Sequence, residues 1–202
     1  MKPLLEVHEI AAVVLSIALG GLLTNTAWRP VVALEGQANT DALTGIYNRR
    51  FLQARAEELI RKAVKHGRPL SLAFLDLDRF KVVNDTHGHD VGDEVLTIFV
   101  DRIKNQLRLI DLFARFGGEE FVVMLPNLND VEAAQAIDNI RMAIHQPYQI
   151  GDLSIDISFS AGVATLSPES NSYTALLKTA DRALYKAKES GRDQVVTASE
   201  IT

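Results

Sequence analysis

The sequence predicts an α+β domain, an antiparallel-rich central sheet flanked by helices, and three observations carry that expectation. Stretches with apolar residues at helical spacing alternate with short, almost wholly apolar runs. A Gly117-Gly118 pair separates two such runs, the mark of a tight hairpin. The order along the chain reads helix, strand, helix, hairpin, helix, strand, helix, so helices pack on a sheet rather than alternate strictly with parallel strands.

The chain has 202 residues, enough for one domain and a short extra segment. An apolar fraction of 47% supports a real core. A formal charge of -5 argues against a nucleic-acid polymer as partner, which calls for a basic face, but leaves room for a single nucleotide. The absence of cysteine excludes a disulfide framework and thiolate metal sites.

Residues 1–30 form the extra segment. No charge occurs from Ile10 to Trp28, and as a helix this run would span roughly 28 Å, near the thickness of a bilayer core. Glu6 and Glu9 ahead of it disfavour a signal peptide. A single apolar membrane helix is the expectation, with a buried or coiled helix as the alternative. Arg29 beyond the run then orients the rest of the chain to the cytoplasmic side of the membrane. Residues 31–40 read as a linker, and 41–202 as the globular domain.

Within that domain, Phe51, Leu52, Leu59, Ile60 and Val64 mark an amphipathic helix over 48–66, stopped by Gly67 and Pro69. Residues 70–77 form an apolar strand ending in Asp76 and Asp78. Residues 84–93 read as a polar turn in which Asp90 caps a helix over 90–107, with Val91, Val95, Ile98, Phe99, Ile103 and Leu107 as its stripe. Two strands flank the glycine pair, both glycines supplying positive φ. A helix over 130–145, a strand over 154–166 and a helix over 172–190 follow, the last closed by Gly191 as a left-handed cap.

Three carboxylates fall where a core sheet would not want them: Asp76 at a strand end, and Glu119 and Glu120 after the hairpin glycines. Strand ends are often acidic through exposure alone. The flanks LAFLDLD and GGEEFVVML fix these acids on rigid strands instead, and if those strands are neighbours the oxygens suit Mg2+ or Mn2+, shared with water and phosphates. In the polar stretch, Asn84 and Asp93 offer acceptors for guanine N–H donors that adenine lacks. A zinc site at His87 and His89 is the weaker alternative. Lys188 and Arg192 end the last helix, where the helix dipole alone favours cations. There is no GxxxxGK[ST] loop, GxSxG elbow or HExxH helix, so phosphate chemistry here would fall to carboxylate-held metal.

Four segments in order resemble the GGDEF family of diguanylate cyclases. Residues 41–50, DALTGIYNRR, are similar to its opening D-x-L-T-G-L-x-N-R-R. Residues 76–93, DLDRFKVVNDTHGHDVGD, resemble D-x-D-x-F-K-x-x-N-D-x-x-G-H-x-x-G-D. Residues 117–121, GGEEF, match the signature with glutamate in third place, a variation also found in active members. Residues 180–193, ADRALYKAKESGRD, resemble A-D-x-A-L-Y-x-A-K-x-x-G-R-[ND].

The resemblance implies a fold like the palm of adenylyl cyclases and polymerases, and a reaction joining two GTP molecules into cyclic di-GMP. It implies that Asp76 and Glu119 hold the metals, helped by the Leu77 carbonyl with Glu120 close by. Asn84 and Asp93 would read guanine. Lys188, Arg192, Lys81 and the backbone near Phe80 would meet the triphosphate. Each domain would bind one GTP, so catalysis would need a homodimer. Arg108-Leu-Ile-Asp111 has the spacing of the family's RxxD product-inhibition site, completed in many members by an arginine on the next helix, where this chain has Asn139 and Arg141. The rival readings are a module that binds GTP or cyclic di-GMP without turnover, and a membrane protein whose domain only mediates assembly.

Overall fold

The computed structural model describes residues 39–201. The predicted membrane segment, and the linker up to residue 38, lie outside them. Among the described residues no helix is long and apolar enough to cross a membrane.

A two-residue strand β1 (Tyr47–Asn48) leads into α1 (Arg49–His66). The Asn48 side chain accepts from the Phe51 amide at 3.1 Å, and Gly67 closes the helix at φ 61. Leu52, Ala56, Ile60 and Ala63 form its buried stripe. Next comes β2 (Leu70–Leu77), buried at every residue. Such a strand must be central with both faces covered, and it is: Ala73, Leu75 and Leu77 enter one apolar cluster, while Leu70, Leu72 and Phe74 enter the other.

Beyond it lie α2 (Phe80–His87), α3 (His89–Lys104), β3 (Leu112–Gly117), β4 (Glu120–Pro126) and α4 (Asp130–Ile144). Asn129 and Glu132 form a reciprocal capping box at the start of α4, at 3.0 Å in each direction. A small separate hairpin joins β5 (Tyr148–Ile150) to β6 (Leu153–Ile155). The chain ends with β7 (Phe159–Thr165), α5 (Tyr173–Glu189) and β8 (Val195–Thr197), with short 3-10 turns at Pro168–Ser170 and Ala198–Ile201.

The six-stranded sheet runs β1-β3-β4-β2-β7-β8. Its inner pairs are antiparallel as expected, but β1 lies parallel to β3 and β8 parallel to β7, so the sheet is mixed. One cluster sets α2, α3 and α4 against the sheet, the other α1 and α5. The last contact is very close: a Cβ on Gly162 of β7 would overlap the Ala180 carbonyl and the Leu184 amide of α5.

Several boundaries differ from expectation for physical reasons. The polar stretch after β2 contains a helix, α2, anchored by only Phe80 and Val83, too few apolar residues to show a period. Gly88, not Asp90, precedes α3, and Asp90 sits in its first turn. That helix ends at Lys104, and Leu107 packs on the core from the following loop. The expected strand over 154–166 breaks at 156–158 into β6 and β7, which belong to different sheets. After α5, Gly191 takes the expected positive φ, 122, with the Arg192 amide bonding back to the Ala187 carbonyl, and Arg192 and Asp193 continue in the left-handed region at φ 67 and 46.

Candidate functional site

Antiparallel pairing of β2 with β4 puts Asp76 opposite Glu120. The pairing of β3 with β4 shifts between Arg115 and Gly117, leaving Gly118 and Glu119 as a two-residue turn. Only Gly118 takes a positive φ, 56°, as a hairpin turn with glycine at its first central position requires, so Gly117 does not play the expected part. Glu119 therefore sits in the turn itself, and its carbonyl accepts from the Leu77 amide at 3.3 Å. The two strand ends and the turn thus bring all three predicted acids to one edge of the sheet.

Asp76 is 7% exposed. Burial pushes its carboxyl above the ordinary value, Lys188 pulls it back, and the charges of Glu119 and Asp78 add to the rise. Glu120 is raised too, first by burial and then by the Asp76 charge. Lys188, from the last turn of α5, brings Nζ to 2.7 Å from Asp76 Oδ2. An edge with more acids than cations, on oxygen donors alone, fits a divalent metal that keeps water or phosphate in its remaining positions. No group of three or more His, Cys, Asp or Glu among the described residues converges as a metal cage by itself. His87 and His89 are both exposed at the junction of α2 and α3, and no such group includes them.

Asp78, only two residues from Asp76, serves a different purpose. Its carboxylate accepts from the Ser158 and Ser160 hydroxyls, both at 2.7 Å, and from the Asp193 amide at 3.0 Å. It ties β7 and the segment after α5 to the end of β2.

Asn84 on α2 lies against Gly92 of α3, the residue before Asp93. A Cβ at residue 92 would overlap the Asn84 amide oxygen and press on the Phe80 ring, so glycine lets the two helices close. Asn84 is half-buried and Asp93 exposed. Phe80 is buried as an anchor of α2, leaving only its backbone for a ligand, while Lys81 is exposed. No side chain caps the start of α2, which follows the left-handed Arg79. Arg192 is exposed beside a cavity of about 340 Å3 shared with Arg79, Asp78 and Asp193.

Arg108 and Asp111, expected as a product-inhibition site, sit elsewhere. Arg108 Nη2 lies 2.6 Å from Asp111 Oδ1 and donates to the Pro126 carbonyl at 3.1 Å. The pair lines a cavity of about 610 Å3 together with Gln135 and Asn139 of α4. Arg141 does not join them: it turns away to Asp138 and Asp193, each at 2.8 Å.

Two further residues, Asp41 and Arg115, join the opening segment of the domain to the hairpin. The Asp41 carboxylate accepts from the Thr44 amide and hydroxyl at 2.9 and 2.7 Å and from Arg115 Nη1 at 3.0 Å. Although burial works against it, those bonds hold the Asp41 carboxyl below its ordinary value. Arg115 Nε also donates to the Gly118 carbonyl at 2.9 Å, so the opening motif is tied to the hairpin turn. In the sequence Asp41 stands at the head of the first motif, whereas Arg115 lies outside the four motifs, two residues before the glycines.

Residues 38–194 match the family described as diguanylate cyclase, GGDEF domain. The response regulator PleD of Caulobacter vibrioides is 42% identical over 162 residues, which make up 79% of this chain and 36% of PleD. The chain thus spans about a third of that relative's length. The solved GGDEF domain of DgcB from Caulobacter crescentus, in complex with c-di-GMP, is 32% identical with a TM-score of 0.75, covering 80% of this chain and 93% of that one. A structure of the active GGEEF domain of a diguanylate cyclase from Vibrio cholerae is also 32% identical, with a TM-score of 0.70, covering 75% and 96%.

Proposed function

The chain belongs to the GGDEF family of diguanylate cyclases, and on that premise we propose that it condenses two GTP molecules into cyclic di-GMP. The observation that supports this reading is the placing of Asp76 opposite Glu120, with Glu119 in the adjoining turn and Lys188 paired to Asp76. The description of the Vibrio cholerae GGEEF domain as active supports glutamate in the third position as compatible with turnover.

In the proposed reaction the 3′-hydroxyl of each GTP attacks the α-phosphorus of the other. Two P–O bonds form, two bonds to pyrophosphate break, and each hydroxyl proton passes to solvent. Mg2+ or Mn2+, held by Asp76, Glu119 and the Leu77 carbonyl, would acidify the attacking hydroxyl and offset charge at the phosphate. Glu120, beside Asp76, adds negative potential that favours the cation. Lys188, together with Arg192, Lys81 and the Phe80 amide, would bind the triphosphate. Asn84 and Asp93 accept from guanine across the α2–α3 contact. Each domain carries one such half-site, so two copies must face each other at the moment of reaction.

The same reading makes Arg108, Asp111 and the cavity they share with Asn139 the product-inhibition site. Asn139 is a weaker phosphate partner than an arginine, since it carries no charge. The uncharged run within residues 1–30 supports a separate proposal, an anchor in the bacterial inner membrane with 41–202 on the cytoplasmic side. Recovery of the full chain from cells only with detergent is the expected result, and its appearance in the soluble fraction without detergent overturns the membrane assignment.

The deciding experiment incubates the purified protein with GTP and Mg2+ and separates the products by chromatography. Cyclic di-GMP with two pyrophosphates per product is expected. Bound GTP with no turnover would make the domain a binding module instead.

A further inference from the structure

Arg192 and Asp193 follow one another in the left-handed region, at φ 67 and 46. Residues with a Cβ seldom adopt that backbone, and two in succession persist only where surrounding contacts over-determine them. From α5, the Ala187 carbonyl accepts from the Arg192 amide at 3.0 Å, and from the end of β2, Asp78 Oδ2 accepts from the Asp193 amide at 3.0 Å. The Gln194 side chain donates to the same Ala187 carbonyl at 2.8 Å. From the other side comes α4: Arg141 Nη1 donates to Asp193 Oδ1 at 2.8 Å while its Nε donates to Asp138 Oδ1 at 2.8 Å. The Arg141 side chain is 15% exposed, so its guanidinium is fixed by two carboxylates rather than waving in solvent. Among the described residues, no hydrogen bond or ion pair engages the guanidinium of Arg192, which is exposed beside the cavity that Arg79 and Asp78 share.

We propose that Arg141 is a positioning residue: by holding Asp193 it fixes the backbone that aims Arg192 at the triphosphate. The proposal rests on reading Arg192 as a phosphate contact. Its physical logic is preorganisation. A loop held in the bound geometry spends less binding free energy on ordering an arginine, and the gain is felt in substrate affinity more than in the chemical step. A merely structural ion pair on a half-exposed surface would act on stability and leave GTP affinity untouched.

GTP saturation kinetics on the full chain, with folding checked by circular dichroism, test the idea with Arg141→Met, Arg192→Ala and their double variant. Arg141→Met keeps the side-chain length without the fork, and it should raise KM for GTP about tenfold while kcat stays within about threefold. In the Arg192→Ala background the same change should add less than about twofold, because its effect runs through Arg192. Asp193→Ala should reproduce Arg141→Met and carries the test if that variant fails to fold. Asp193→Asn, which keeps an accepting oxygen, should fall between it and the parent. If Arg192→Ala raises KM but Arg141→Met and Asp193→Ala do not, or if the effects simply add, the positioning role is overturned and the phosphate reading of Arg192 stands. If Arg192→Ala leaves KM unchanged, both fall.

Discussion

At the end of β2, Asp76, Glu119 and Glu120 crowd negative charge around Lys188, whereas ahead of β3 Arg108 and Asp111 close upon each other. In the first region burial and like charge push the Asp76 and Glu120 carboxyls up, so the folded chain holds acids that a cation would relieve. In the second, Arg108 already gives both Nε and Nη2 to Asp111, whose side chain is 2% exposed. Folding leaves one region short of positive charge and the other internally paired. The difference suits their proposed tasks. A site that recruits metal and triphosphate needs an unbalanced charge, while a site answering to accumulated product must stay quiet until that product competes for Arg108.

The contrast can be broken most forcefully at the acids. Asp76→Asn and Glu119→Gln keep shape but remove a proposed ligand charge, and each should lower cyclic di-GMP synthesis by at least about a thousandfold with an unchanged circular dichroism spectrum. Near-normal synthesis in either variant removes that residue from the metal site. Asp78→Ala should do the reverse and cost fold stability, about 2–4 kcal/mol in urea denaturation, because two hydroxyls and an amide lose a buried acceptor. A stability loss as small as that of Asp76→Asn would mean these two neighbouring acids are not divided between chemistry and structure.

Two smaller effects sharpen the comparison. Asp93→Ala should raise KM for GTP about tenfold and let ATP compete, since guanine N–H donors lose their acceptor; unchanged competition would leave Asp93 as an ordinary residue near a helix start. Arg108→Ala should raise the cyclic di-GMP concentration for half-inhibition about tenfold in progress curves with added product. Equal inhibition of parent and variant would reduce the RLID segment to a surface turn.

Much of this site was legible because its acids sit on strands whose apolar flanks fix their direction. The run LAFLDLD could only be a buried strand, and the glycine pair could only be a hairpin, so Asp76, Glu119 and Glu120 were readable before any coordinates. Short elements were not. α2 buries just Phe80 and Val83, and β1 and β8 have two and three residues, too few to express a period. The strand expected over 154–166 failed for a related reason: alternation continues through residues 156–158, although the chain there passes from the small hairpin to the main sheet.

Local sequence thus determined the helices, the central strand, the hairpin and the residue types at its edge, because period, capping and turn chemistry act over a few residues. Only the tertiary structure decided the partners. Lys188 meets Asp76 across more than a hundred residues, Asp78 binds the Asp193 amide, and Arg141 faces Asp193 rather than the cavity of Arg108. Nothing at either end of such a pair marks the other, since the contact exists only once the sheet register and the packing of α4 and α5 upon it bring the chains of atoms within hydrogen-bond reach.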